Sequence, residues 1–442
     1  MSKILMPFQR EGTDFLKRKQ FALLADEQGL GKTVTALAAV KELNLRRVAV
    51  VCPASVRSNW KQEIKECGLS LSNFIVESYN CVSDGRFPPF PGGKPDGFIL
   101  DEVHFLKTPK SKRTQAVFGN DAGLVRMGVK EARIWGLTGT PVLNRPRELY
   151  PMLKTLAEGS LKPYESWERF TQRFCGAFWD GHGINTKGAS NIDDLSRRLS
   201  SFMLRREKKD VLPQLPPRIY SRPPLELTED EYESIYKVET EIQNREVYLS
   251  SSKERFSQLG DTARMRRATG EAKVRAVSEF IDDLLDGDDT EKTKTVVFAW
   301  HRSVIKSLYE RLGHYDPVIY AGGMNDGQKQ AAIRRFMADK DCRIFIGQIS
   351  AAGTGINGLQ KASNSVVFAE LEWVPGNMAQ AVDRVHRIGQ AAPVVNVYLP
   401  HVEGTIESAM LSVQDAKNEV ISRLVRPVGM VVSDEELLEG LL

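Results

Sequence analysis

The stretch DEQGLGKT, residues 26–33, stands between an apolar run and a stretch with helical spacing. Glycines at a turn from strand to helix let backbone N–H groups approach phosphate oxygens, and the N-terminus of the helix adds partial positive charge. Lys32 can reach the β- and γ-phosphates of a nucleotide there, and Thr33 can ligate Mg²⁺. Asp26 occupies the position of the first glycine in the common pattern GxxxxGK[ST], so a second motif is needed to identify the loop.

Two sets of short apolar runs predict the fold. A strand, the glycine loop, a helix over 33–43 and another strand form a βαβ unit, which implies a parallel sheet. The predicted strands are 21–25, 48–52, 97–100 and 134–137 in the first set, and 295–299, 317–320, 343–347, 365–369 and 394–399 in the second. Between the sets the chain is rich in aromatic and charged residues at helical spacing. The sequence therefore predicts the α/β class, with two parallel-sheet lobes and inserted helical segments.

Composition excludes several classes of protein. The 442 residues include 61 Lys and Arg, 57 Asp and Glu and five cysteines. No run reaches the roughly 18 apolar residues of a membrane span, and the first residues, MSKILMPFQREGTDF, lack the apolar stretch of a signal peptide. The scattered cysteines favour reduced thiols over disulfides or zinc. We expect a protein that has no membrane span and no structural zinc and is not secreted. It would be cytoplasmic or nucleoid-associated in a bacterium or virus, and nuclear in a eukaryote.

The second motif is FILDEVH, residues 98–104, an apolar strand that ends in two carboxylates. On a strand parallel to the first, Asp101 would arrive near the phosphate loop and hold Mg²⁺, while Glu102 could polarise an attacking water. The alternative is a solvated acidic turn.

In LTGTP, residues 137–141, the hydroxyls of Thr138 and Thr140 could link the carboxylates to whatever moves when the γ-phosphate leaves, although such a pentapeptide alone is more often a turn. The two motifs together predict nucleotide hydrolysis.

The second set of strands lacks a GKT loop but is followed by QAVDRVHRIGQ, residues 380–390. Arg384 and Arg387 are three residues apart and would share one face of a predicted helix. Facing the phosphate loop, they could act as arginine fingers, which raise the rate of phosphoryl transfer by about 10³–10⁵. The alternative is a solvent-exposed basic helix.

These motifs, in this order, carry a resemblance to a known family. GLGKT, DEVH, LTGTP, SAAGTGIN (350–357) and QAVDRVHRIGQ resemble motifs I, II, III, V and VI of superfamily 2 helicases. FMLRREKKDVLPQLPP (202–217) and the ending HRIGQ resemble the Swi/Snf-type ATPases within that superfamily. VVFAELEWVPGNMAQAVDRVHRIGQ is most similar to the annealing-helicase and fork-remodelling group, here in a compact form of viral or bacterial kind.

The resemblance implies two RecA-like lobes that share one ATP. It places lobe 1 at 1–157, helical insertions and a linker at 158–275, lobe 2 at 276–415 and a C-terminal helical tail at 416–442. ATP and Mg²⁺ are the implied cofactors, with Thr33 and Asp101 as metal ligands. Implied nucleotide-binding residues are Phe8, Gln9, Gln28, Gly29, Leu30, Gly31, Lys32, Thr33 and Gly355, of which Phe8 and Gln9 match the adenine-side Q motif. Implied catalytic residues are Lys32, Asp101, Glu102, Gln380, Arg384 and Arg387, with Thr138 and Thr140 as coupling residues.

DNA contacts are expected mainly at phosphates, because a motor must step over any sequence. The candidates are Pro53, Ala54, Arg57, Lys107, Lys110, Lys112, Arg113, His301, Ser350 and Ala351. The net charge of +4 is too small to indicate nucleic acid unless basic residues cluster. Basic residues do occur in the linker at 205–218. They also occur at 253–275, and a solvated helix face is the alternative for this second stretch. Trp300 and Trp373 are expected in the core rather than stacked on bases.

The sequence thus predicts an ATP-dependent motor that moves along duplex DNA and remodels forked or branched DNA by fork regression, branch migration, reannealing or unwinding. The expected partner is duplex, forked or branched DNA, and the expected functional form is a monomer. One alternative is a strand-separating RNA or DNA helicase. The other is an ATP-gated scaffold that binds DNA with little turnover.

Overall fold

A computed structural model describes residues 4–90, 92–119, 123–125, 132–181, 183–246, 254–286, 293–352 and 356–425. The chain divides into two compact units between Pro213 and Gln214, and the chain from Lys417 onward groups with the first unit. Residues 158–213 therefore group with the first sheet and 214–275 with the second. The four-part division inferred from the sequence stays a prediction.

The first unit is built around a six-stranded parallel sheet of order β3-β2-β4-β5-β1-β8, with a separate antiparallel hairpin of β6 and β7. Its elements are α1 Pro7–Arg18, β1 Phe21–Leu24, α2 Lys32–Glu42, β2 Val48–Cys52, α3 Arg57–Glu66, β3 Phe74–Ser78, α4 Tyr79–Ser83, β4 Gly97–Asp101, α5 Lys112–Phe118, β5 Arg133–Leu137, α6 Tyr150–Leu156, α7 Trp167–Cys175, β6 Phe178–Trp179, β7 Ile184–Asn185, α8 Ile192–Ser200, β8 Met203–Leu204 and α9 Lys208–Val211.

The second unit has its own six-stranded parallel sheet, of order β11-β12-β10-β13-β14-β9. Its elements are β9 Arg218–Ser221, α10 Glu229–Glu246, α11 Glu254–Ala272, α12 Val274–Asp286, β10 Thr295–Ala299, α13 Arg302–Arg311, β11 Val318–Tyr320, α14 Asp326–Ala338, β12 Ile344–Gln348, α15 Ile349–Ala352, β13 Ser365–Phe368, α16 Pro375–Val382 and β14 Val395–Tyr398. Helix α17, Ile406–Val425, begins in this unit.

Central strands are apolar along their whole length because both faces of each sheet are covered. In β2, Ala49 and Val51 belong to one core, whereas Val50 and Cys52 belong to the core on the opposite face. The same alternation divides β10 between two cores in the second unit. Successive strand residues point to opposite faces, so a continuous apolar run serves two layers of helices. The predicted α/β class with two parallel-sheet lobes is confirmed.

The nine predicted strands coincide with strands of the structure to within about one residue at each end, and the predicted helix at 33–43 is α2. The sequence analysis missed β3, β8, β9 and the hairpin. In the described parts of the chain, no helix is both long and apolar enough to span a membrane. All five cysteines are described, and each carries a free thiol.

Candidate functional site

The phosphate loop joins β1 to α2 through two left-handed glycines. Gly29 has φ of 89° and Gly31, the residue before α2, has φ of 81°. A side-chain Cβ at Gly31 would lie only 2.4 Å from Nε2 of Gln9. That amide donates to the carbonyl oxygen of Leu30 at 3.1 Å, and its Oε1 accepts from the N–H of Met6 at 3.0 Å. Helix α1 therefore braces the loop through Gln9, at a point where only glycine fits.

Lys32 lies across the loop. Its Nζ donates to the carbonyl oxygen of Asp26 at 2.7 Å and to that of Glu27 at 3.3 Å. Burial raises the pKa of Asp101, and the charge of Lys32 offsets part of that rise. Thr33, the second residue of α2, is half-buried beside Lys32. The loop therefore presents the cation, hydroxyl and helix N-terminus that a bound triphosphate requires.

Asp101, the last residue of β4, is held by neighbours on two sides. The indole N–H of Trp60 donates to Oδ2 at 2.7 Å, and the backbone N–H of Glu102 donates to Oδ1 at 3.1 Å. Burial raises the pKa of Asp101 to about 6, and the charge of Glu102 adds to the rise. A half-buried carboxylate beside a second carboxylate suits a hard divalent cation, because the cation would neutralise both. Asp101 therefore has the surroundings expected of a carboxylate that coordinates Mg²⁺.

Glu102 adopts a left-handed backbone, with φ of 49° and ψ of 52°. Such a conformation is uncommon for a residue other than glycine, and it often marks a functional position. Oε2 accepts from the hydroxyl of Thr138 at 3.3 Å, and Oε1 lies 3.5 Å from Nε2 of Gln28. Nδ1 of His104 lies 2.8 Å from the same hydroxyl. A polar network thus joins the carboxylate strand, the phosphate loop and the strand that ends in LTGTP.

Thr140 is connected to this network through its backbone, since its N–H donates to the hydroxyl of Thr138 at 3.1 Å. The three motifs meet because β1, β5 and β4 are neighbours in a parallel sheet, whose strands all end at one edge.

Trp60 and His104 were missed as site residues. The signal for His104 was its place in DEVH, whereas nothing in the spacing of Trp60 pointed to Asp101.

A third missed feature is the segment that follows α8. Strand β8 pairs with β1, and the backbone N–H groups of Ala25 and Glu27 donate to the carbonyl oxygens of Leu204 and Arg206. Arg206 binds Asp26 through two hydrogen bonds, of 3.0 and 2.6 Å. It also donates to the carbonyl oxygen of Phe8 and places its guanidinium 5.5 Å from the Phe8 ring.

The adjacent cations bind the loop in the same way. The backbone N–H of Lys208 donates to the Glu27 carboxylate at 2.7 Å, and its buried Nζ lies 3.7 Å from the same group. Arg205 donates to the carbonyl oxygens of Ala25 and Gly139, at 3.1 and 3.2 Å. These three cations therefore have partners in and beside the phosphate loop, and a role of the 205–218 linker in binding DNA stays a prediction. Their charges offset acidic groups and carbonyls of the phosphate loop.

In the second unit, the expected arginine helix is shorter than the sequence indicated. Helix α16 ends at Val382, and Arg384 and Arg387 lie in the turns that follow. Arg387 donates to Oδ1 of Asn357. Burial lowers the pKa of the Arg387 guanidinium, and the positive charge of Arg384 lowers it further. The prediction that both arginines share one helix face is wrong, because the chain leaves the helix before either residue. Gln380 is buried on α16.

The linker also reaches these turns inside the second unit. Strand β9 pairs with β14, Arg218 lies 3.8 Å from Asp383, and Nε2 of His386 lies 2.8 Å from the carbonyl oxygen of Pro216.

Of the other predicted site residues of this unit, Ser350 is exposed and Ala351 is half-buried, both on α15. Gly355 lies outside the described residues.

Several predicted DNA-contact residues of the first unit have protein partners. Arg57 pairs with Glu77 at 3.1 Å, Lys107 with Glu148 at 3.6 Å and Lys112 with Asp84 at 3.6 Å, while Arg113 lies 5.3 Å from the Phe105 ring. Pro53 is buried, whereas Ala54 and Lys110 are exposed. The Lys112–Asp84 pair is exposed, and such pairs contribute only about 0–1 kcal/mol, so a DNA phosphate can replace the Asp84 carboxylate at small cost.

The basic stretch at 253–275 has mostly structural partners where it is described. Buried Lys273 binds Glu407 at 2.6 Å, and Arg266 lies 4.5 Å from the Trp300 ring and 3.7 Å from Glu372. A solvated face is therefore the wrong interpretation for these two cations. Trp300 and Trp373 pack against the second core, as expected. His301 donates its backbone N–H to Glu370 at 2.8 Å and contacts the same carboxylate through Nδ1.

The chain matches two described domains, the SNF2-related domain over residues 8–86 and 89–274 and the helicase conserved C-terminal domain over 272–389. It is 30% identical over 449 residues to the DNA annealing helicase and endonuclease ZRANB3 of Bos taurus, covering 94% of this chain and 40% of that protein. It is 31% identical over 457 residues to the SWI/SNF-related matrix-associated actin-dependent regulator of chromatin subfamily A-like protein 1 of Xenopus tropicalis, covering 95% and 45%. The chain thus spans less than half the length of either relative.

Among solved structures, the Sulfolobus solfataricus SWI2/SNF2 ATPase core in complex with dsDNA covers 99% of this chain and 97% of that one, at 23% identity and a TM-score of 0.41. The predicted resemblance to Swi/Snf-type helicases, including the annealing-helicase group, is confirmed by the domain matches and the two relatives. Since the SNF2-related domain alone accounts for more than half of its length, the chain belongs to the SNF2-related family.

Proposed function

We propose that this protein is a DNA-dependent ATPase that moves along duplex DNA and remodels forked or branched substrates. The observation that carries the proposal is the network at one edge of the first sheet. There Lys32 spans the phosphate loop beside the carboxylate strand, Trp60 orients Asp101, and Thr138 donates to Glu102. A phosphate loop, a metal-binding carboxylate and a second carboxylate joined to a third motif are the parts that ATP hydrolysis needs.

In this proposal the phosphate loop binds the triphosphate through its backbone N–H groups, Lys32 and the N-terminus of α2. Asp101 and Thr33 would hold Mg²⁺, which neutralises charge on the β- and γ-phosphates when bound. Glu102 orients and polarises the water that attacks the γ-phosphorus, while the bond to the ADP oxygen breaks. Phe8, Gln9 and Gln28 hold the loop and the base side of the nucleotide.

Arg384 and Arg387 are proposed to stabilise the transition-state charge, with Gln380 and Gly355 as further nucleotide contacts from the second unit. The two arginines retain these proposed roles although both lie in turns rather than on a helix. The pKa of Arg387 is lowered by burial, and an arginine in a partly dehydrated position interacts strongly with an anion. Arg387→Ala should therefore leave ATP affinity largely intact and reduce turnover by about 10³-fold or more. Equal loss of both quantities would argue against this role.

Coupling of hydrolysis to movement is assigned to Thr138 and Thr140. Thr138 contacts both Glu102 and His104, and the chain that follows leads to Arg145 and Arg147. The step from ATP hydrolysis to fork regression, branch migration or reannealing rests on similarity to a relative named as an annealing helicase. The proposed partner is DNA contacted through its phosphates by a monomer, in the cytoplasm or nucleoid of a bacterium or virus or in a eukaryotic nucleus.

One experiment separates this proposal from its alternatives. Steady-state ATP hydrolysis should be measured with blunt duplex DNA, single-stranded DNA, forked DNA and duplex RNA. Stimulation by blunt duplex DNA, which offers no unpaired end, supports a duplex-tracking motor. Stimulation by RNA or single strands alone would indicate a strand-separating helicase. Nucleotide-dependent DNA binding with no sustained turnover would indicate an ATP-gated scaffold.

A further inference from the structure

The hairpin of β6 and β7 exposes three large apolar side chains. Phe178, Trp179 and Ile184 have 59, 69 and 66% of their surface exposed. Trp179 pairs with Ile184 across the hairpin, and Phe178 pairs with Asn185. Directly paired residues share a face, so Trp179 and Ile184 form one face and Phe178 lies on the other. Single exposed apolar residues are ordinary, but an exposed apolar pair on one face and an exposed ring on the other face of so short a hairpin need an explanation.

The hairpin is held firmly at its base. Arg147 donates to the hydroxyl of Thr186 at 2.9 Å, and Arg145 donates to the carbonyl oxygen of Lys187 at 2.8 Å. On the other side, Ser190 donates to the carbonyl oxygen of Arg173, in α7, at 2.7 Å. A two-stranded hairpin alone is marginally stable, so these bonds fix its position. The aromatic side chains are therefore presented on a fixed support.

A cavity of about 990 Å³ lies beside the hairpin. The hairpin, α7 and the loop after the DEVH strand line it, and all of these belong to the first unit. Lys107, Lys110 and Arg147 supply its positive charge, against Glu148 and Glu168. Lys187, next to the hairpin, is exposed. The groove thus combines aromatic side chains with an excess of cations.

We propose that this groove binds unpaired nucleotides of a forked DNA and that Trp179 and Phe178 stack on their bases. Aromatic stacking together with cations that follow a phosphate chain is the usual chemistry of single-strand binding. Lys107 and Lys110 are also predicted contacts of the duplex in the proposed function, on which this inference rests. The hairpin thus shares its groove with two of the predicted duplex contacts.

The hairpin is in this view a specificity element for the fork rather than part of ATP hydrolysis. A blunt duplex offers no unpaired base to Trp179, whereas a fork offers its arms. The anchors Arg145 and Arg147 lie four and six residues after the end of LTGTP, so the hairpin is bonded to the chain that follows the segment assigned to coupling.

The test compares the affinity of each variant for a forked duplex with oligothymidine arms and for a blunt duplex of the same paired length, by fluorescence anisotropy. Phe178→Ala with Trp179→Ala should weaken binding of the fork by about tenfold to a hundredfold relative to the blunt duplex. Trp179→Phe, which retains a ring, should keep most of the preference. Tyr309→Ala removes an aromatic that is 41% exposed in the second unit and serves as the control. Thermal melting verifies that each variant is folded.

A second measurement uses only the wild-type protein, so it does not depend on whether a variant folds. A 2-aminopurine base in one arm of the fork should lose fluorescence on binding the wild-type protein. The signal of the same base deep in the duplex, already quenched by stacking, should not change. An unchanged fork preference in the double variant, or no fluorescence change in the arm, would overturn the inference. Concentration-dependent self-association of the wild type that the double variant abolishes would also overturn it, in favour of a protein interface. Failure of the proposed function would show separately, as wild-type protein without DNA-stimulated ATP hydrolysis.

Discussion

The guanidinium of Arg206 donates to both carboxylate oxygens of Asp26, which precedes it by 180 positions. Asp26 is almost completely buried, and it occupies the place where many phosphate loops have a glycine. The carboxylate at that place therefore has a structural role, since it fastens the segment at 202–208 to the loop. The same segment continues into β9, which is part of the second sheet. One stretch of chain thus connects the phosphate loop to the second unit.

Arg206→Ala should destabilise the protein strongly, because it leaves the carboxylate of Asp26 buried without its cation. We expect a loss of about 3–5 kcal/mol in the free energy of unfolding, measured by urea denaturation. Asp26→Asn in the Arg206→Ala background should recover part of it. The control is Arg222→Ala, which removes an equally two-bonded but exposed pair with Asp415 and should cost about 1 kcal/mol or less. Similar losses for the two variants would contradict the account.

Gly31→Ala should disrupt the phosphate loop. The new Cβ would meet Nε2 of Gln9 at 2.4 Å on a backbone with φ of 81°, so the backbone is strained and the amide that braces the loop must move. ATP affinity, measured with a fluorescent nucleotide analogue, should fall by about tenfold or more. Gly85 is a matched control, since it has φ of 70° and a Cβ added there would meet open space, so Gly85→Ala should alter only stability, by about 1–2 kcal/mol. Unchanged nucleotide binding by Gly31→Ala would refute the tight fit.

Trp60→Phe should weaken Mg²⁺ binding, because the indole N–H that orients Asp101 and lowers its pKa is removed. Loss of such an outer partner typically reduces metal affinity by about tenfold to a hundredfold. The Mg²⁺ concentration for half-maximal ATP hydrolysis should rise accordingly. Trp135 is an equally buried tryptophan whose N–H donates to the carbonyl oxygen of Lys19, so Trp135→Phe should leave that concentration unchanged. Equal shifts in both variants would point to general loosening of the fold.

Thr138→Ala should reduce kcat and leave KM for ATP nearly unchanged. The hydroxyl contacts Glu102 and His104, and neither contact involves the phosphate loop backbone. An interaction that matters only in the transition state lowers kcat and kcat/KM together. We expect a decrease of about tenfold to a hundredfold, with rescue by Thr138→Ser, which restores the hydroxyl. A rise in KM alone would assign Thr138 to nucleotide binding instead.

Local signals in the sequence predicted the phosphate loop, the carboxylate strand and most of the two sheets. They succeeded because a strand covered on both faces must be apolar along its length, as β2 and β10 are. Strand β8 has only two residues and β9 is largely exposed, so neither leaves an apolar run. The end of α16 at Val382 also lacks a glycine or proline signal. The Arg206–Asp26 pair depends on tertiary structure, which no local pattern encodes.

The central claim is that Glu102 activates the attacking water at the site that Lys32 and Asp101 form. The most direct measurement is duplex-DNA-stimulated ATP hydrolysis by Glu102→Gln, alongside binding of a fluorescent ATP analogue, with Glu310→Gln as a control at an exposed glutamate. The account predicts that Glu102→Gln binds the nucleotide as the wild type does but loses hydrolysis by about a hundredfold or more, whereas Glu310→Gln matches the wild type in both. Hydrolysis by Glu102→Gln at the wild-type rate would contradict the claim.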